Sequence, residues 1–252
     1  MSTILGININ AKNKKDAKSM INRTLSSKIK KTLFTPNPEI IMAARNDNRI
    51  ASVINSADIS IPDGIGVLIA SRVLGEDIEE RVTGIDTAEY VLSECAKLGY
   101  KVFLLGAIDG VADKAKHMLE ERYEGLVICG THHGYFNKSG EENERVITAI
   151  ETAKADVLFV CFGSPMQEKW IFENRHRLKH PMLIAGLGGC LDVWAGKVKR
   201  APRIFQVLYL EWLWRMLIEP TRIKRLFRVF GFFLAVVGEK CKIIGKRSQK
   251  QQ

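Results

Sequence analysis

Short apolar runs bounded by turn residues recur along the chain, and between them lie stretches whose apolar residues return every three or four positions. The first pattern predicts strands over Ile4 to Ile9, Thr32 to Thr35, Asp58 to Ile61, Lys101 to Leu105, Leu126 to Cys129, Val157 to Phe162 and Met182 to Leu187. The second predicts helices over Lys15 to Ser26, Pro38 to Ser56, Ile65 to Leu74, Asp86 to Leu98, Gly110 to Tyr123, Glu141 to Ala153 and Met166 to Leu178. From Tyr100 to Gly189 strand and helix alternate with few long loops. That order implies a Rossmann-like α/β fold, a mostly parallel sheet with helices on both faces. After residue 195 the alternation stops, which divides the chain into an α/β body, residues 1–195, and a C-terminal helical appendage, residues 196–252.

In open parallel sheets ligands bind outside the carboxyl ends of the strands. Those ends are rich in small and polar residues here: Thr35-Pro36-Asn37-Pro38, Pro62-Asp63-Gly64, Gly106-Ala107-Ile108-Asp109-Gly110, Gly163-Ser164-Pro165-Met166-Gln167-Glu168 and Gly186-Leu187-Gly188-Gly189. Glycines there let backbone N–H groups approach an anion at a helix start, so a phosphorylated ligand fits. No GxxxxGK[ST] occurs, and Gly186-x-Gly188 lacks a third glycine, since residue 191 is Leu. A dinucleotide dehydrogenase is therefore disfavoured. The absence of any DxD pair also argues against a metal-held nucleotide sugar, and neither metal nor cofactor is expected.

Asp63 admits two readings. It can cap the helix predicted from Ile65, because aspartate satisfies orphan N–H groups at a helix start. It can equally serve as a general base at a strand end, a role worth roughly 10²–10⁴-fold in rate. Arg81 precedes another helix start, where Thr83 and Asp86 have capping spacing. Arg81 is either a solvated charge or a bidentate phosphate ligand. Gln167 can read sugar hydroxyls or be solvated, and Glu168 beside it suits a helix dipole. His132, His133 and His176 have no convergent partners in sequence.

Charge divides the chain at the same place as periodicity. Of 38 lysines and arginines and 28 acids, residues 197–252 hold 14 and three, leaving the preceding residues with 24 and 25. A near-neutral body thus carries a strongly basic tail, which implies an anionic partner. Within residues 220–238, PTRIKRLFRVFGFFLAVVG, helical projection gathers Ile223, Leu226, Phe227 and Phe230 opposite Arg222, Lys224, Arg225 and Arg228. A basic amphipathic helix of this kind lies in a membrane interface or a protein groove. It does not span, because the ten uncharged residues Val229 to Gly238 make ~15 Å of helix against about 30 Å of hydrocarbon. Nucleic acid is disfavoured, since the aromatics do not interleave with the arginines. The chain's start, MSTILGININAKNKKD, alternates as a strand does and does not read as a signal peptide. Five scattered cysteines, without a CxxC pair, read as reduced core residues of a cytoplasmic protein.

Seven motifs, in order along nearly the whole chain, carry a family resemblance. They are Thr35-Pro36-Asn37-Pro38-Glu39, Pro62-Asp63-Gly64-Ile65-Gly66-Val67, Arg81-Val82-Thr83-Gly84-Ile85-Asp86, Gly163-Ser164-Pro165-Met166-Gln167-Glu168, Gly188-Gly189-Cys190-Leu191-Asp192, Ala195-Gly196-Lys197-Val198-Lys199-Arg200-Ala201-Pro202, and Glu211-Trp212-Leu213-Trp214-Arg215 with Glu219-Pro220-Thr221-Arg222. The chain resembles the WecG/TagA/CpsF family of bacterial glycosyltransferases, departing mildly at Leu191 and Met166. The resemblance implies inverting, metal-independent transfer of N-acetylmannosamine from UDP-N-acetylmannosamine. The acceptor it implies is the 4-hydroxyl of N-acetylglucosamine on undecaprenyl diphosphate, in teichoic acid linkage-unit synthesis. Carried onto matching positions, Asp63 would be the base, and Thr35, Asn37, Arg81, Gln167 and Gly188 would line the substrate pocket. The appendage would complete the site at the cytoplasmic face of the membrane, bringing Arg215, Arg222 or Arg225 to the leaving group and contacting anionic lipid through residues 204–238. In that setting Gly64 and Gly66 would give the acceptor clearance beside its base. Aromatics around Trp212, Trp214 and Phe230 could pair subunits into a homo-oligomer while the appendage is undocked. Two alternatives stay open: another UDP-linked sugar as donor, or a non-enzymatic, nucleotide-responsive membrane-binding protein.

Overall fold

A computed structural model describes residues 1–218 and 223–249. The chain opens on a hairpin, not on one strand. β1 (Ser2–Ile4) and β2 (Ile7–Ile9) pair antiparallel across Leu5 and Gly6, both at positive φ, 48° and 86°. Two such residues in succession make the tight turn whose twist suits a hairpin, and Gly6 supplies that conformation at little cost. The predicted continuous strand Ile4 to Ile9 is thereby corrected.

Six parallel strands follow: β3 (Lys31–Phe34), β4 (Ile59–Ser60), β5 (Lys101–Gly106), β6 (Val127–His132), β7 (Val157–Cys161) and β8 (Leu183–Gly186), in the order β4-β3-β8-β7-β5-β6. The helices between them are α1 (Lys14–Ser27), α2 (Pro38–Asn46), α3 (Asn48–Asn55), α4 (Ile65–Leu74), α5 (Gly84–Leu98), α6 (Val111–Arg122), α7 (Gly140–Thr152) and α8 (Met166–Asn174). The single helix predicted over Pro38 to Ser56 is two, because Asp47 interrupts it. Its carboxylate accepts from Arg49 N at 2.8 Å and Ile50 N at 3.4 Å, starting α3 afresh.

Successive residues of β7 show why both faces must be covered. Val157, Phe159 and Cys161 enter one core with residues of α1, α5 and α6, whereas Leu158 and Val160 enter a second with residues of α2, α3, α4, α7 and α8. A strand buried on both sides reads as an unbroken apolar run, and VLFVC is one.

After β8 come α9 (Cys190–Trp194), α10 (Arg203–Val207), α11 (Glu211–Ile218) and α12 (Ile223–Gln249). α12 packs on α2 and α4, with Phe232 and Val236 fully buried in the second core. The apolar surface of this helix is therefore split. Phe230, Leu234 and Val237 point outward at 67%, 64% and 55% exposure, while Phe232 and Val236 fix the helix to the body. Of the apolar face that helical projection gathers, Phe230 points outward, and the side chains of Ile223, Leu226 and Phe227 lie outside the described residues; the inward face of Phe232 and Val236 was not foreseen. No helix among the described residues is long and apolar enough to cross a membrane.

Candidate active site

The loops after β3 and β4 and the loop before α5 meet at one point. Ile61 N donates to Phe34 O at 3.1 Å, extending the β3–β4 pairing past the strand ends. Asp63 N then donates to Pro36 O at 3.0 Å, and Val82 N to Pro62 O at 3.0 Å. Three backbone bonds thus set Thr35, Asp63 and the Arg81-Val82-Thr83-Gly84 segment side by side. A methyl group placed on Gly84 would lie 3.3 Å from Thr35 Cγ2 and 3.6 Å from Asp63 Oδ2, so the glycine keeps the space beside this carboxylate open.

Asp63 stands one residue before the N-cap of α4. That N-cap is Gly64, at φ 97° and ψ 146°. The half-exposed Asp63 carboxylate sits one residue earlier, at the sheet's carboxyl edge. Gly66 has a packing role. Its Cβ would fall 2.6 Å from Pro38 Cγ, so its absence lets the first turns of α2 and α4 approach.

Asn37 is the N-cap of α2; its Oδ1 accepts from Glu39 N at 3.0 Å and Ile40 N at 3.1 Å. Thr83 caps α5 by accepting from Asp86 N at 3.1 Å, as its spacing with Asp86 predicts. Gln167 lies across the sheet centre and is 1% exposed. Its Oε1 accepts from Gly188 N at 2.9 Å and Gly163 N at 3.3 Å, bracketing the loops after β7 and β8, while its Nε2 donates to Glu168 Oε1 at 2.8 Å. Gly188, at φ 60°, thus turns its N–H toward Gln167. Burial pushes the fully enclosed Glu168 carboxyl up, only partly opposed by the hydrogen bonds from Ser164 and Gln167.

Arg81 is buried at the joint between body and appendage. Its Nη2 contacts Glu211 Oε2 at the start of α11, and its Cζ lies 5.8 Å from the centre of the Tyr209 ring. Arg200 also reaches this cluster, through Asp86, Glu89 at 3.8 Å and Glu211 at 3.7 Å. Burial alone would raise the Asp86 carboxyl, but Thr83 and Arg200 overcome it and hold it below its ordinary value. Sequence reasoning missed Glu211 and Arg200 as partners of this region. Glu211 and Arg81 are 130 positions apart, and no local spacing announces such a pair.

The structure therefore gathers Thr35, Asp63 and Arg81 around neighbouring loops and places Gln167 and Gly188 in the adjoining bracket. Arg222 lies outside the described residues, as do the side chains of Arg215 and Arg225. Among the described residues no three His, Cys, Asp or Glu side chains converge as metal ligands would.

The family model for the glycosyl transferase WecG/TagA/CpsF family matches residues 2–245. The chain belongs to this family. Among curated relatives, the N-acetylglucosaminyldiphosphoundecaprenol N-acetyl-beta-D-mannosaminyltransferase of Staphylococcus aureus (strain MRSA252) is 37% identical over 215 residues, covering 84% of this chain and 81% of the relative. The same-named protein of strain NCTC 8325 / PS 47 shows the same identity and coverage, and that of strain MW2 is 36% identical. The chain is a glycosyltransferase by this membership.

Proposed function

We propose that the chain transfers N-acetylmannosamine from UDP-N-acetylmannosamine to the 4-hydroxyl of N-acetylglucosamine on undecaprenyl diphosphate, with Asp63 as base. The observation that supports this most directly is the Asp63 carboxylate just past the end of β4, set beside Thr35 and the Arg81 segment, with the space next to it kept open by Gly84. The relatives' name specifies N-acetyl-β-D-mannosaminyl transfer to an N-acetylglucosaminyl diphosphoundecaprenol. A β-linked product from an α-linked nucleotide sugar requires a single in-line displacement. The acceptor hydroxyl gives its proton to Asp63 as its oxygen bonds to the anomeric carbon. The bond from that carbon to the diphosphate breaks, and its electron pair leaves on UDP. Arg81, together with Arg215, Arg222 or Arg225 from the appendage, supplies positive charge for the departing diphosphate. Thr35 borders the sugar beside Asp63. Gln167 acts through the two loops it brackets, holding Gly163 and Gly188 at the pocket floor.

A lipid-linked acceptor requires the enzyme at a bilayer, peripheral to the cytoplasmic leaflet. Ile204, Val207, Leu208, Trp212, Phe230 and Leu234 present apolar surface on the same appendage that carries the chain's excess positive charge. Exposed apolar residues among cations suit an anionic membrane surface. UDP release measured with and without lipid-linked N-acetylglucosamine, over several UDP-sugars, tests the assignment. Acceptor-dependent release with UDP-N-acetylmannosamine supports it, and release without regard to acceptor, or none, refutes it.

A further inference from the structure

Glu211 serves two arginines at once and satisfies neither fully. Its Oε2 contacts Arg81 Nη2, and its Oε1 stands 3.7 Å from Arg200 Nε, just beyond hydrogen-bond reach. The side chains of Arg81 and Glu211 are only 9% and 14% exposed. The Nε atoms of both Arg81 and Arg200 are buried without any hydrogen-bond partner. A buried guanidinium N–H left unpaired is costly, so two around a single carboxylate mark an arrangement missing an acceptor. Tyr209, which stacks on Arg81 two residues before Glu211, has φ 60°, a conformation a tyrosine keeps only where its surroundings hold it.

We infer that Glu211 is an exchangeable counter-ion, holding Arg81 while the donor's diphosphate is absent and passing to Arg200 when the diphosphate arrives. The inference rests on the reading that Arg81 meets the diphosphate. A diphosphate oxygen pair can accept from Nε and Nη2 of Arg81 together, which the single contact to Glu211 does not achieve. A carboxylate beside that incoming anion is repelled, and a displacement of about 1 Å brings it within hydrogen-bond reach of Arg200 Nε. Both unpaired donors then have acceptors. Because Glu211 opens α11, and Arg200 is anchored to α5 through Asp86 and Glu89, the exchange draws the appendage against the body as the donor binds. Glu211 is thus a positioning residue that couples donor binding to seating of residues 203–218.

The test is UDP affinity by calorimetry, alongside kcat and KM for UDP-sugar, for the full chain and Glu211→Gln, Glu211→Asp, Arg200→Gln and Arg81→Gln. Glu211→Gln leaves Arg81 without a competing anion. It is expected to bind UDP roughly threefold to tenfold more tightly, while kcat falls because the segment is no longer drawn in. Arg200→Gln removes the second seat and is expected to weaken UDP binding. Glu211→Asp keeps the charge and is expected to stay near the parent affinity, so it carries the comparison with Arg200→Gln if Glu211→Gln melts below the assay temperature. UDP is also expected to protect amides of residues 203–218 from exchange in the parent and not in Glu211→Gln. Unchanged or weaker UDP binding by Glu211→Gln, with binding lost in Arg81→Gln, overturns the exchange and leaves the Arg81 reading standing. Unchanged binding by Arg81→Gln overturns the reading beneath it.

Discussion

Phe230 and Phe232 lie two positions apart on α12 and face opposite ways, so truncating each perturbs a different property. Phe232 has no exposed surface and lies in the core formed with α2 and α4, next to Val236. Its neighbour Phe233 approaches within 3.7 Å of the Cβ position of Gly66, in the first turn of the helix that follows Asp63. Phe232→Ala removes a fully buried ring and leaves a cavity between α12 and these helices, a cost of about 3–5 kcal/mol. If that cost falls on docking, the population of undocked α12 rises by roughly two to three and a half decades. Amide exchange over residues 228–245 is expected to accelerate by that factor, while β7 and β8 at the sheet centre keep their protection. UDP release is expected to fall once the undocked form predominates, since the proposed mechanism draws leaving-group arginines from the appendage. Phe230→Ala should leave exchange and melting within about 0.5 kcal/mol of the parent, yet weaken partition onto anionic vesicles roughly tenfold. Slow exchange of α12 in Phe232→Ala would refute docking through this face. Equal vesicle binding by the parent and Phe230→Ala would refute lipid contact through the other.

Three further outcomes follow from the site. Gly84→Ala puts a methyl 3.3 Å from Thr35 and 3.6 Å from Asp63, and is expected to raise acceptor KM at a stability cost of about 1–3 kcal/mol; an unchanged KM would show that this space is unused. Asn37→Ala removes the α2 cap and should cost about 1 kcal/mol in urea denaturation, and no loss would contradict the capping geometry. The Asp86 carboxyl is held below its ordinary value, so its contribution is complete above about pH 4 and is lost as pH falls through the depressed folded value. Arg200→Gln is expected to flatten that acid limb of the stability profile, and an identical limb would show that the Asp86–Arg200 pair does not supply it.

The strands and most helices were legible because their signals are local. β7 is an apolar run between turn residues, and α4 spans the predicted residues Ile65 to Leu74. The errors also have local causes. Leu5 and Gly6 fold back within an alternation that reads as one strand, and Asp47 restarts a helix whose apolar period continues across it. Asp63 was ambiguous because capping and catalysis favour the same residue at the same place, and only the backbone shows that Gly64 holds the N-cap position. The body–appendage joint was not legible at all, since Arg81, Arg200 and Glu211 meet only once the sheet has brought distant loops together. Likewise, helical periodicity separates Phe230 from Phe232, but only the packing of α12 on α2 and α4 shows which ring points inward.

The central claim is that Asp63 takes the acceptor's proton. Acceptor-dependent UDP release by Asp63→Asn, compared with the parent at matched melting temperature and matched UDP affinity, tests it most directly. The account predicts a folded, UDP-binding protein whose kcat is lower by roughly 10²–10⁴-fold. Turnover within a few-fold of the parent would contradict it.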